Sequence, residues 1–231
     1  MFSYYGSKSK IVDYYPPPKY GKIIEPFAGS ARYSLKYWDR EVTLVDKYEY
    51  IVKIWKWLQV VSKYDILKLP ILENKEDVRK YKLSQEEMNF MRFQIGQGLG
   101  HPQWKCSSQC DKKTQKRKLK DISDNLFKIK HWNIILGDYK DCENEEQTWF
   151  IDPPYQFGGH GYIESNKFID FDYLRDWCIH RKGQVIVCEN TKATWMPFLP
   201  MIDMKGCQFK TTEAIWSNYE TNYEFQQQKL F

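Results

Sequence analysis

The chain has 231 residues, 35 basic and 30 acidic, for a formal net charge of +5. That length suits one catalytic-sized domain with room for an insertion, and a core large enough to do without disulfides or metals. Aromatics make up 17% and charged residues 28%, a mixture that excludes a disordered chain.

The excess of positive charge is local. Residues 101–130 hold nine basic groups against three acidic ones, which leaves the remainder near neutral at 26 against 27. No stretch approaches the roughly 18–20 apolar residues of a membrane span, so no membrane partner is expected. Met1-Phe2-Ser3-Tyr4-Tyr5-Gly6 lacks the basic-then-apolar pattern of a secretory signal. Of the six scattered cysteines, Cys178 and Cys188 stand in apolar surroundings and read as reduced, buried thiols. An intracellular chain is therefore expected.

In chain order, the run 23–27 predicts a strand that ends in Ala28-Gly29-Ser30. Residues 31–39 are helix-compatible, and 42–46 predict a second strand. Strand, glycine turn, helix and strand begin an α/β unit with a parallel sheet. Helical periodicity continues through Ile51, Ile54, Trp55 and Leu58. Residues 60–125 are more polar, carry a helix-like patch over 84–94 and a glycine-rich run over 96–100, and end in a lysine cluster. They read as an insertion. Strand-like runs resume at 132–136, 149–151 and 184–188, with a helix over 171–180 and a final strand over 209–219.

Three short motifs carry chemistry. Glu25-Pro26-Phe27-Ala28-Gly29-Ser30 sits at a strand end, where a glycine lets backbone approach a ligand closely. Asp46 ends the next strand, at a spacing that suits hydrogen bonds from ribose hydroxyls. Only Gly29 of a G-x-G-x-x-G pattern is present, which disfavours NAD and favours a nucleoside cofactor without a pyrophosphate. Asp152-Pro153-Pro154-Tyr155 follows the strand 149–151. Its prolines remove backbone donors, leaving a carboxylate, free carbonyls and an aromatic plate that suit a flat ring with an exocyclic amino group. Tyr4-Tyr5-Gly6-Ser7-Lys8 has the makings of a lid over a nucleoside. Each motif alone also fits a plain part: a strand–turn–helix, a proline-rich strand exit, a disordered tail.

Together, and in this order, the motifs resemble the Dam-like, alpha-group DNA adenine-N6 methyltransferases. The resemblance spans most of the chain and is loose within the insertion. It implies a Rossmann-like S-adenosylmethionine-dependent methyltransferase fold, a mixed, mostly parallel seven-stranded sheet with helices on both faces. The catalytic domain would comprise 1–55 and 126–231, and a helical, basic target-recognition insertion 56–125. The cofactor S-adenosylmethionine would be held by Tyr4, Gly6, Ser7, Lys8, Glu25, Pro26, Phe27, Ala28 and Gly29, with Asp46 at its ribose. Asp138 and Tyr139, after a strand, would meet its adenine. Asp152, Pro153, Pro154 and Tyr155 would be the catalytic set, holding a target adenine flipped out of double-stranded DNA. Lys112, Lys113, Lys116, Arg117, Lys118 and Lys120 would contact phosphates, a solvated loop being the alternative.

One departure stands out: Ala31 replaces the family's usual second glycine, and Arg32 follows it. It keeps a non-catalytic nucleic-acid-binding module in view. RNA adenine-N6 and DNA cytosine-N4 methylation are the enzymatic alternatives. No proline precedes a cysteine, which argues against cytosine-C5 chemistry. The loop Gly158-Gly159-His160-Gly161-Tyr162 reads as mobile and able to close on a nucleotide. His101, Cys106 and Cys110 are too loosely spaced for zinc, so no metal is expected. By family resemblance the protein would be cytoplasmic, prokaryotic or phage-encoded, and a monomer, with a dimer as the alternative.

Overall fold

The computed structural model describes residues 1–2, 4–96, 99–107, 111–158, 166–205 and 210–219. Seven strands form one sheet: β1 (Lys22–Glu25), β2 (Glu41–Asp46), β3 (Asn133–Leu136), β4 (Gln147–Ile151), β5 (Gly183–Asn190), β6 (Leu199–Lys205) and β7 (Lys210–Ser217). Their spatial order is β3-β2-β1-β4-β5-β7-β6. The first five pair in parallel, and β7 lies antiparallel between β5 and β6. This is a mixed α/β sheet compatible with a Rossmann-like fold.

Among the described residues six α-helices accompany the sheet: α1 (Arg32–Lys36), α2 (Glu49–Val60), α3 (Lys63–Lys68), α4 (Gln85–Gln94), α5 (Lys112–Asn125) and α6 (Phe171–Ile179). The central strands are apolar on both faces, as a sheet covered on both sides requires. Ile23, Leu44, Phe150 and Ile186 face one core, shared with Ile54, Trp55 and Leu58 of α2 and with Phe90, Leu119 and Ile122 of α4 and α5. Their neighbours Ile24, Val45, Trp149 and Val187 face the other, shared with Leu174, Trp177 and Cys178 of α6. Successive strand residues point to opposite faces, so each strand feeds both cores.

Local chemistry sets the helix starts. Ser84 and Glu87 form a reciprocal capping box at α4, and the side chains of Asp111 and Asp170 accept from Thr114 N and Tyr173 N at α5 and α6. The helix expected over 31–39 is shorter: α1 ends at Lys36, where Tyr37 leaves helical geometry at φ −112°, ψ 41°. β6 has no counterpart among the expected strands. It contains Pro200, and its register against β7 shifts between Pro200 and Ile202, so alternation is lost; at the sheet edge a missing donor is tolerated. The segment 60–125 supplies α3, α4 and α5, and α2 itself runs from Glu49 across position 56 to Val60. The lysine cluster therefore lies on a helix rather than a loop. That helix is clamped by Gln115, whose amide both accepts from Leu72 N and donates to Leu72 O, at 3.0 and 2.7 Å.

Gly183 opens β5 at φ +88°, opposite Gln147 of β4. A Cβ there would stand 2.3 Å from Gln147 O. Both atoms are backbone of paired strands, so neither can move aside. Gly183→Ala is expected to cost about 3 kcal/mol or more, measured by urea unfolding.

Candidate functional site

The strand order reverses between β1 and β4, since the chain leaves β1 toward β2 and β3 on one side and continues to β5 on the other. In open α/β sheets that reversal leaves a crevice at the carboxyl ends of the two strands. β1 ends at Glu25 and β4 at Ile151, so Glu25-Pro26-Phe27 and Asp152-Pro153-Pro154 become neighbours across it. A cleft of about 930 Å³, partly open to solvent, occupies the position. Its walls draw on segments far apart in sequence: Tyr4, Gly6 and Lys8; Glu25 to Arg32; Asp46; Asp138 and Tyr139; Asp152 and Pro154.

The turn after β1 is built for close approach. Gly29 sits at φ +44°, and a Cβ there would come 3.2 Å from the Tyr4 ring. Its amide donates to Asp46 Oδ2 at 2.9 Å, and its carbonyl accepts from Trp55 Nε1 at 2.9 Å. Ala31 also lies in the left-handed region, at φ 44°, ψ 48°, a conformation that suits glycine. The residue departure seen in the sequence is thus a strained site. Arg32, the other departure, is used structurally: Nε donates to Ser7 Oγ at 3.0 Å and Nη2 to Phe2 O at 3.1 Å. It fastens the N-terminal segment to the start of α1.

Carboxylates crowd the floor of this region. Glu25 is buried and accepts from Ser34 N at 2.7 Å; burial, with Asp152 nearby, pushes its pKa up to about 8. Asp152 is raised to about 6, chiefly by burial, with the Lys8 ammonium opposing and Glu213 adding to the rise. Glu189 is fully buried at the end of β5, where Oε1 accepts from Gln156 N at 2.6 Å and Oε2 from Asn190 N at 2.9 Å. Lys8, itself buried, lies 3.1 Å from Asp152 Oδ1 and 3.2 Å from Glu213 Oε1, and donates to Tyr155 OH.

The remaining expected residues divide. Phe27 and Tyr139 stack at 5.1 Å on the cleft wall, beside Asp138. Asp46 Oδ1 accepts from Tyr48 N at 2.8 Å, so its two oxygens are held by the backbone of both neighbouring turns. Ser7, Tyr155 and Glu213 line a second cavity of about 840 Å³ instead, together with Asn190 and Thr212. Tyr5, Gly6 and Lys8 line both. Pro153 is buried and is among the lining residues of neither.

On α5 the basic residues are not equivalent. Lys112 pairs with Glu73 and Lys120 with Asp124, while Lys113, Lys116 and Arg117 are exposed and Lys118 is half-buried. Among the described residues no group of three or more His, Cys, Asp or Glu could hold a metal. Gln97, Gly98, Cys110 and the loop residues Gly159, His160, Gly161 and Tyr162 lie outside the described residues. The sequence reading missed Glu213, Glu189 and Tyr15. An acidic residue inside an apolar strand was a signal for the first two, but only the sheet register shows which edge each occupies.

Two outcomes follow from this geometry. The folded state holds a proton on Glu25 between about pH 4.5 and 8 that the unfolded chain releases, so this group's contribution to stability falls as pH rises through that window. Glu25→Gln is expected to flatten that part of the pH dependence and to gain a few kcal/mol over the parent at pH 8, read from urea unfolding at pH 5 and 8. Ala31→Gly relieves the left-handed strain at the cost of a more flexible unfolded chain, for a net gain of about 1 kcal/mol in the same measurement.

No family model matches the sequence, and no curated protein matches it. Among solved structures, a conserved hypothetical protein of Streptococcus pyogenes is similar at 11% identity with a TM-score of 0.34, over 84% of each chain.

Proposed function

We propose that this chain is an S-adenosylmethionine-dependent DNA methyltransferase acting on the N6 amino group of adenine. The observation that supports this most is the convergence on one cleft of Tyr4, Gly6 and Lys8, Glu25–Gly29, Asp46 and Asp138–Tyr139, with Asp152 beside them. The donor set fits the cofactor. Glycine at position 29 lets the Tyr4 ring close against the turn, Asp46 brings a carboxylate to the ribose end, and Phe27 and Tyr139 offer an apolar wall. Buried Glu189 and Glu213, with half-buried Asp152, outnumber the buried Lys8, so this end of the sheet favours a cationic ligand. When bound, the cofactor supplies an electrophilic methyl group on a positively charged sulfur.

The chain's own residues would then bind and orient the acceptor. Asp152 and the Pro153 carbonyl accept hydrogen bonds from the exocyclic amine, which draws its lone pair out of the ring. Tyr155 offers its ring as a stacking surface beside them. Burial keeps Asp152 a stronger base than a solvated carboxylate, which suits a nitrogen that becomes positive as it is methylated. Positioning of two reactants supplies much of the remaining rate. Lys113, Lys116 and Arg117 on the exposed face of α5 would neutralise phosphates and release counterions.

The test is incubation of protein, DNA and cofactor, followed by digestion to nucleosides and mass spectrometry. N6-methyladenine is expected, and Asp152→Ala should lower its formation about 100-fold or more while calorimetric cofactor binding persists. Bound cofactor with no methylated adenine would overturn the reading. N4-methylcytosine, or product only on RNA, would move it to the corresponding alternative.

A further inference from the structure

We infer that Glu213 is a positioning residue of this site: it fixes the Tyr155 ring and shares the Lys8 ammonium, so that Asp152 remains an acceptor for the incoming amine. The inference rests on the reading of Asp152–Tyr155 as the amine-binding motif. Glu213 lies on β7, paired with Asn190 of β5 and Ile202 of β6. Because β7 runs antiparallel, its early residues reach the sheet edge where β4 and β5 end. The side chain is 1% exposed.

Oε1 of Glu213 gathers three partners. It accepts from Tyr15 OH at 2.6 Å and from Tyr155 OH at 2.5 Å, and it lies 3.2 Å from Lys8 Nζ. Oε2 is buried without a hydrogen-bond partner among the described residues. The direction of the chain of bonds is settled by valence. The Lys8 ammonium can only donate, an ionised carboxylate can only accept, and a phenol has one proton. Tyr155 therefore receives from Lys8 and gives to Glu213. Two bonds at Oη fix where the tip of the ring lies, and the hydroxyl's preference for the ring plane biases the ring's rotation. Lys8 Nζ also lies 4.4 Å from the ring centroid, which presses on the same orientation.

The second effect is electrostatic. Lys8 stands almost equidistant from Asp152 and Glu213, at 3.1 and 3.2 Å. Asp152 Oδ1 has this charge contact yet makes no hydrogen bond among the described residues. A single ammonium shared between two carboxylates satisfies neither fully. With Glu213 neutral, Lys8 would pair with Asp152 alone and compete with any substrate amine for it. The other titratable groups facing the pair are Tyr15 and Tyr155, Cys188 and Glu189 of β5, and Glu25 of β1.

Glu213→Gln keeps shape and acceptor capacity while removing the charge. Its first readout needs no substrate: the titration of Asp152 followed by carboxyl carbon NMR on aspartate-labelled protein. The Asp152 midpoint is expected to fall by about one pH unit or more in Glu213→Gln. Glu213→Asp keeps the charge but withdraws it by one methylene, so its Asp152 midpoint should stay near the parent's. In methyl transfer, both variants are expected to lose about tenfold in kcat with cofactor affinity unchanged, and Glu213→Gln alone to shift the acidic limb of the pH profile to lower pH. An unmoved Asp152 midpoint in Glu213→Gln, or in its place an Asp152 midpoint in Glu213→Asp that drops as for loss of charge, overturns the inference. A moved midpoint in a protein that transfers no methyl group leaves Glu213 as the positioning residue and removes the methylation reading instead.

Discussion

Lys8 brings one positive charge to a region that holds Glu189 and Glu213 buried and Asp152 half-buried, beside a buried Glu25 that keeps its proton to about pH 8. A buried carboxylate without compensation costs several kcal/mol, so the ammonium decides whether this edge of the sheet can exist in its folded form. Its placement is supported in turn by Arg32, which binds Ser7 and the Phe2 carbonyl and so holds the segment that precedes it. The remaining imbalance shows in Glu25 and Asp152, both held above the usual carboxylate range. Buried charge left short of a partner is the mark of a site shaped for something it must bind.

The sheet order gives this cluster its location. Reversal between β1 and β4 opens the crevice, and antiparallel β7 turns an otherwise remote strand so that Glu213 meets Asp152's neighbours. Ala31 and Gly29 then bend the chain sharply at the mouth. Strain at Ala31 is sustained because the turn is tied on both sides, by Trp55 to the Gly29 carbonyl and by Ala31 N to Ala28 O at 2.7 Å.

Much of this was legible beforehand, and the reasons differ from element to element. β1, β2, β4 and β5 are short apolar runs buried on both faces, a pattern that depends on the local sequence alone. Most residues of the first cleft were found because two motifs, with Asp46 and Asp138, fall at strand ends, and a parallel sheet puts all such ends on one edge. β6 escaped because Pro200 and a register shift erase alternation. α5 falls in the segment expected to be helical, but its bounds were not marked because its many lysines mask a stripe of only four buried residues, Gln115, Leu119, Ile122 and Ser123. Glu213 fell inside the expected final strand, but its place in the site could not be read, since that depends on strand direction and on pairing with a residue 23 positions earlier. Ser7 and Tyr155 turn toward the second cavity for the same kind of reason: which side of a wall a residue faces is a tertiary fact.

The segment Tyr5–Lys8 forms part of two cavities at once. A partition common to two chambers couples their occupants wherever each of them changes how that partition is settled, even when those occupants never touch. Whatever free energy one guest spends or gains in settling this segment is felt by the other in equal measure, and the exchange runs identically in both directions. The order in which the two arrive would then alter the path of assembly and leave its final affinity unchanged.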